Sequence, residues 1–171
     1  YDQITHYLLD CAKHSISPQS YGPGVERMII EKLSWTKEKS KTAGDAVTKS
    51  GESIEIKFSM ASDKGITNYV QLRPHYSVDK YLLVSYDVEK DSFEIILISK
   101  QTMSAAIFNF GGYAHGSKKK NGDITMHSIL NNNYEYAVRP NVKKKDLCLE
   151  FLRSNNLINK ERYKWIKTKL N

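Results

Sequence analysis

Apolar residues recur along this chain with two different periods, and the switch between them divides it. In residues 2–14 Ile4, Tyr7, Leu8, Cys11 and Ala12 repeat at helical spacing until "SISPQSYGPG" interrupts them. Residues 24–35, "GVERMIIEKLSW", take the spacing up again, with Val25, Met28, Ile29 and Leu33 inward and Glu26, Arg27, Glu31 and Lys32 largely outward. Two helices are predicted. The polar stretch "TKEKSKTAG" then reads as a mobile loop that delivers the chain to Asp45.

From Asp45 the period falls to two. In 53–60 Ile54, Ile56, Phe58 and Met60 point one way and Ser53, Glu55, Lys57 and Ser59 the other, with "TKSGE" as the turn from a preceding strand. "KYLLVSYDV" and "SFEIILIS" read as the arms of a hairpin, the first apolar enough to be central. "SKQTMSAAIFNF" starts a helix with Ser99 as N-cap, "GGYAHGSKKKNGD" is a glycine-bounded loop, and "YEYAVRP" is a last short strand. Two closing helices follow, over 144–153 and 159–170. This order predicts an α+β (mixed α/β) fold with a central mixed β-sheet flanked by helices. The 171 residues suit one domain, 1–171, able to bury a core without disulfides or structural metal. Within it a catalytic core spans about 22–100, a basic region about 100–145 and the closing helices 144–170.

Charge narrows the choice of partner. The chain carries 26 Lys plus Arg against 19 Asp plus Glu, a net +7 that favours a polyanion. Between Lys100 and Lys145 eight basic residues face only Asp123 and Glu135, so that half of the chain is suited to meet phosphate. Cys11 and Cys148 lie far apart in apolar-periodic segments and outside any CxxC or Cys/His cluster, which predicts buried free thiols in a reducing cytoplasm. No apolar run approaches a membrane span and no signal-peptide layout is present, so a cytoplasmic protein with no membrane partner is expected. The chain opens at Tyr1 rather than Met, which leaves room for a few residues ahead of it.

Candidate chemistry concentrates in "GDAVTKSGESIEIKFSM", residues 44–60, where Glu55-Ile56-Lys57 is the only acid-x-lysine triplet of the chain. Asp45 near one strand and Glu55 on the next could bring two carboxylates to one end of a hairpin, oxygen ligands of the kind that hold Mg²⁺. Lys57 shares the face of Glu55 about 7 Å along the strand, within reach of a scissile phosphate. Two acids and a lysine suffice for metal-assisted phosphodiester hydrolysis. The alternative is plain: Ser53, Glu55, Lys57 and Ser59 would be the solvated face of an amphipathic edge strand.

With Gly44-Asp45 and Glu55-Ile56-Lys57 so spaced, the chain resembles the PD-(D/E)xK nuclease superfamily, and within it the compact type II restriction endonucleases. The resemblance covers roughly residues 22–86, and Gly44 stands where the family's nominal proline would be. It implies a restriction-endonuclease-like core in which Asp45 and Glu55 hold Mg²⁺ and Lys57 is the catalytic lysine. It also implies that Glu26, on the helix before the hairpin, is an accessory acid. The protein it implies is a homodimeric, site-specific endodeoxyribonuclease acting on double-stranded DNA. A repair or recombination nuclease of the same superfamily and a non-catalytic basic DNA-binding domain remain as alternatives.

Two further segments offer DNA contacts. "NYVQLRPHY" brings Gln71, Arg73, His75 and Tyr76 together, a set able to touch phosphates or bases or simply to turn the chain. In the basic loop Lys118, Lys119 and Lys120 suit phosphate, and His115, Ser117 and Asn121 suit base edges.

Overall fold

In a computed structural model of the chain, residues 3–14, 17–60, 67–90, 92–116, 118–139 and 145–158 are described. The fold is mixed α+β, as predicted. The strands are β1 (Thr36–Lys37), β2 (Ala46–Val47), β3 (Ser53–Met60), β4 (Tyr69–Leu72), β5 (Lys80–Asp87), β6 (Ser92–Ser99), β7 (Gly112–Tyr113) and β8 (Tyr136–Val138). The main sheet runs β1-β2-β3-β5-β6. β3 and β5 are parallel and the other neighbours antiparallel, so the sheet is mixed. The apolar β5 lies between β3 and β6, as its composition demands.

Helices cover both faces of this sheet. α1 (Gln3–Lys13) and α2 (Pro18–Lys32) bury Leu8, Cys11, Tyr21, Val25 and Ile29 against Ile54 and Ile56 of β3 and Leu82, Val84 and Tyr86 of β5. On the opposite face Tyr81, Leu83, Ile96 and Ile98 meet α3 (Lys100–Phe110) and, beyond the one-turn α4 (Lys118–Asn121), α5 (Met126–Asn131) and α6 (Lys145–Ser154). Each core holds one free cysteine, Cys11 in the first and Cys148 in the second, both buried as expected.

Several local expectations are met. Ser99 caps α3 by accepting from the Thr102 N–H at 3.1 Å, and residues 48–52 turn β2 into β3 through the Thr48 N–H to Glu52 O bond of 2.9 Å. α6 is the first closing helix, while 159–170 lies outside the described residues. Three differ. α2 begins at Pro18 and runs through "YGPG", which was expected to break it. Pro18 opens a helix without loss of a hydrogen bond, and a Cβ on Gly24 would come within 2.6 Å of the Tyr7 hydroxyl, so glycine there lets α1 lie close. Packing of Tyr21 and Val25 then outweighs the poor helix propensity.

The stretch 36–44 is also more ordered than a mobile loop. Its first two residues form β1, Glu38 accepts from the N–H groups of Lys39 and Ser40, and Ala43 O accepts from Ser53 Oγ at 2.9 Å. A second sheet, β4-β8-β7, was not anticipated: it joins the predicted last strand to β4 and to β7, and β7 is built out of the segment read as a glycine-bounded loop. The outer edge of β6 is covered by residues 156–157: Asn156 Oδ1 accepts from Leu97 N–H at 2.9 Å, and Leu157 N–H donates to Leu97 O at 2.7 Å. Among the described residues no helix is long and apolar enough to cross a membrane.

Candidate active site

The site lies where β2 gives out. β2 pairs with β3 only at Ile54 and Ser53, and beyond them side chains take the place of a strand. Asp45 donates its N–H to Ile54 O at 2.8 Å and receives the Ile56 N–H on Oδ2 at 2.7 Å, while the Tyr21 hydroxyl hydrogen-bonds the backbone of Met60. Gly44 makes this possible. Its φ is +85°, and a Cβ would stand 2.7 Å from Ile54 O. Proline, with φ held near −65°, cannot adopt that conformation, and a side chain there would meet the β3 backbone.

β3 pairs with β5 along its length and with β2 only at its start, and it is the low exposure of its charged side chains that removes the reading of its polar row as a solvated edge. The Glu55 side chain is 13% exposed and that of Lys57 17%, and the two are joined by an ion pair of 2.6 Å. Lys57 is therefore a largely buried, paired cation rather than an exposed polar-face residue. Glu26 reaches the same place from α2, with 22% of its side chain exposed and Lys37 Nζ 3.5 Å away.

These charges meet at Asp45. Burial first, then the negative charge of Glu55, and more weakly that of Glu26, push its carboxyl up to about 7, against the opposing pull of the Ile56 N–H and of Lys57. Asp45 thus lies among two further carboxylates, Glu55 paired with Lys57 and Glu26 with the exposed Lys37. Among the described residues no three His, Cys, Asp or Glu groups are placed to hold a metal ion by themselves. Carboxylate oxygens in a site short of positive charge nonetheless fit Mg²⁺, which keeps several waters and completes its shell with phosphate oxygens.

The segment after β4 adjoins this centre. Arg73 is bound through Nε and Nη2 to the Glu135 carboxylate and lies 5.5 Å over the Tyr76 ring, so its guanidinium is already engaged. Burial works against the Arg73 cation, but the Glu135 hydrogen bond and the charges of Glu135, Tyr76 and Glu55 together raise its pKa. His75 packs edge-on to Tyr76, and burial, then Arg73, lower its pKa. Gln71 is exposed with φ +54° at the register break between Tyr69 and Leu72. Glu135 was not singled out in the sequence, because only the pairing of β4 with β8 brings it to Arg73.

The basic segment is separate in construction. It is β7, a 3-10 turn at Ala114–Gly116 and α4, rather than one open loop. His115 is exposed with φ +56°, Lys120 is exposed, and Asn121 is half-buried with its carbonyl accepting from the Tyr113 hydroxyl at 3.4 Å. Ser117 lies outside the described residues, and Lys118 and Lys119 are placed only as part of α4. No protein-family model matches the chain, and no curated protein is significantly similar to it.

Proposed function

We propose that the chain is a Mg²⁺-dependent endodeoxyribonuclease that hydrolyses phosphodiester bonds of duplex DNA, acting as a site-specific homodimer in the manner of a type II restriction enzyme. The observation that carries this reading is the Glu55–Lys57 pair, drawn out of solvent on an inner strand beside a carboxyl, Asp45, that its acidic neighbours push up to about 7. A merely structural ion pair has no need of further carboxylates crowded against it, and such perturbed groups gather at functional sites.

Asp45 and Glu55 would hold the metal, and Glu26 would supplement them from α2. Bound there, Mg²⁺ would neutralise the acids and the phosphate and make water a better nucleophile. Lys57 offers its ammonium to the charge that develops on the phosphate, and its short tether to β3 fixes where that charge is met. The acids act on a group common to all nucleotides, so sequence must be read elsewhere, by Gln71–Tyr76 or by the segment around His115.

Incubation of the protein with long mixed-sequence DNA, with Mg²⁺ and with a chelator, tests the reading. Discrete fragments that require Mg²⁺ would support it. Nicking confined to mismatched or branched DNA would favour the repair or recombination class, and salt-sensitive binding without cleavage in any divalent metal would leave a DNA-binding domain.

A further inference from the structure

The parallel register of β3 and β5 sets Glu55 beside Tyr81 and Lys57 beside Leu83. Neighbours at one level of a sheet share a face, so Tyr81 lies alongside Glu55, on the side of the sheet that packs against α3. Tyr81 is 0% exposed, and its buried hydroxyl has no hydrogen-bond partner among the described residues. A hydroxyl buried without a partner costs stability, and native proteins hold few of them. Burial, then the charge of Glu55, push its pKa upward, so the group stays protonated and able to donate.

Glu55 has use for such a donor in one state only. In this structure its Oε1 takes Lys57 Nζ at 2.6 Å. Once Lys57 turns toward a phosphate, a carboxylate largely withdrawn from water loses its nearest cation. We infer that Tyr81 is a positioning residue, whose hydroxyl takes hold of Glu55 when Lys57 leaves it and keeps that carboxylate in place. The inference rests on the nuclease reading for what draws Lys57 away, but the exchange of partners belongs to β3 and β5 and is testable without DNA or metal.

Tyr81→Phe removes the hydroxyl alone. In the metal-free protein it should leave the unfolding midpoint unchanged or raise it, since the group it deletes is unbonded. In a Lys57→Met background, or Lys57→Gln should that variant not fold, the same change should lower the folding equilibrium constant at least about tenfold, because Glu55 has then turned to the hydroxyl. In the otherwise unaltered protein Tyr81→Phe should weaken Ca²⁺ binding and reduce kcat with Mg²⁺ several-fold, with KM for DNA unchanged. A loss of the same size in both backgrounds would make the hydroxyl an ordinary structural bond, and no loss in either would make it idle; both results overturn the inference. If the unaltered protein neither binds Ca²⁺ nor cuts DNA while the metal-free cycle shows the coupling, the nuclease reading fails and the exchange stands.

Discussion

Glu55 and Lys57 sit on an eight-residue strand paired with β5 over nearly its whole length, whereas His115 and Lys120 stand exposed on a single 3-10 turn and a four-residue helix. Around Glu55 charge is crowded, partly dry and out of balance. Around Lys120 it is open to water, where opposite charges are screened within about 10 Å at ordinary salt. Chemistry that must place an oxygen to a fraction of an ångström is served by the first kind of support, and a surface that must follow a groove by the second.

The sharpest way to break this contrast is to remove the acids. Asp45→Ala or Glu55→Ala should abolish Mg²⁺-dependent cleavage while DNA binding persists or tightens as repulsion between carboxylate and phosphate is lost, as read by gel cleavage and by titration in Ca²⁺. Cleavage near the unaltered rate in either variant would misplace the site. Lys57→Ala should slow cleavage by at least roughly 10²- to 10³-fold. It should also cost stability, roughly 3 kcal/mol, because it takes the cation from a largely buried Glu55 and leaves it at most a neutral hydroxyl; denaturant titration measures this.

The pH profile of the metal-free protein comes next. Asp45 holds its proton up to about 7 in the fold but only to about 3.9 when unfolded. The native state therefore binds more protons between those values, so stability should fall as pH rises from about 4 to about 7 and level off above. The span should be a few kcal/mol at most, and Asp45→Asn should flatten it. An unchanged slope in that variant would assign the titration to another group. Glu26→Gln, which leaves Asp45 and Glu55 in place, should slow cleavage about tenfold. An unchanged rate would return Glu26 to its pairing with Lys37.

The smallest effects belong to the surface. Lys120→Ala should weaken binding to every DNA by a few-fold and reduce its salt slope by about one, while His115→Ala and Asn121→Ala should cost cognate cleavage more than nonspecific binding. A uniform loss at His115 and Asn121 would move base reading to the Gln71–Tyr76 segment and blur the division between the two regions.

What was legible in the sequence follows the range of the forces involved. α1, the β5–β6 hairpin and the Ser99 cap all depend on neighbours in the chain, and each is present as read. The β4-β8-β7 sheet depends on pairings such as Leu72 with Tyr136, which short irregular strands do not announce. The burial of Glu55 and Lys57 has the same origin. Their alternation with Ile54 and Ile56 is that of any half-wetted strand, and only the parallel contact with β5 shows that the polar row faces inward. Tyr81 was hidden for that reason too, since an aromatic in an apolar strand carries no sign of which carboxylate it will stand beside.

The cover over β6 has a consequence for how the chain is made. Leu97 leaves the ribosome well before the residue that closes its edge, because Asn156 follows it by 59 positions. At ordinary rates of synthesis, ~5–20 residues per second, that interval is on the order of 3 to 12 s. Through it the nascent sheet shows an open row of amides and carbonyls to any other extended chain. Molecules halted before Asn156 would keep that edge permanently, so premature termination here would yield a species prone to pairing with its own kind rather than a slightly shorter copy of the same protein.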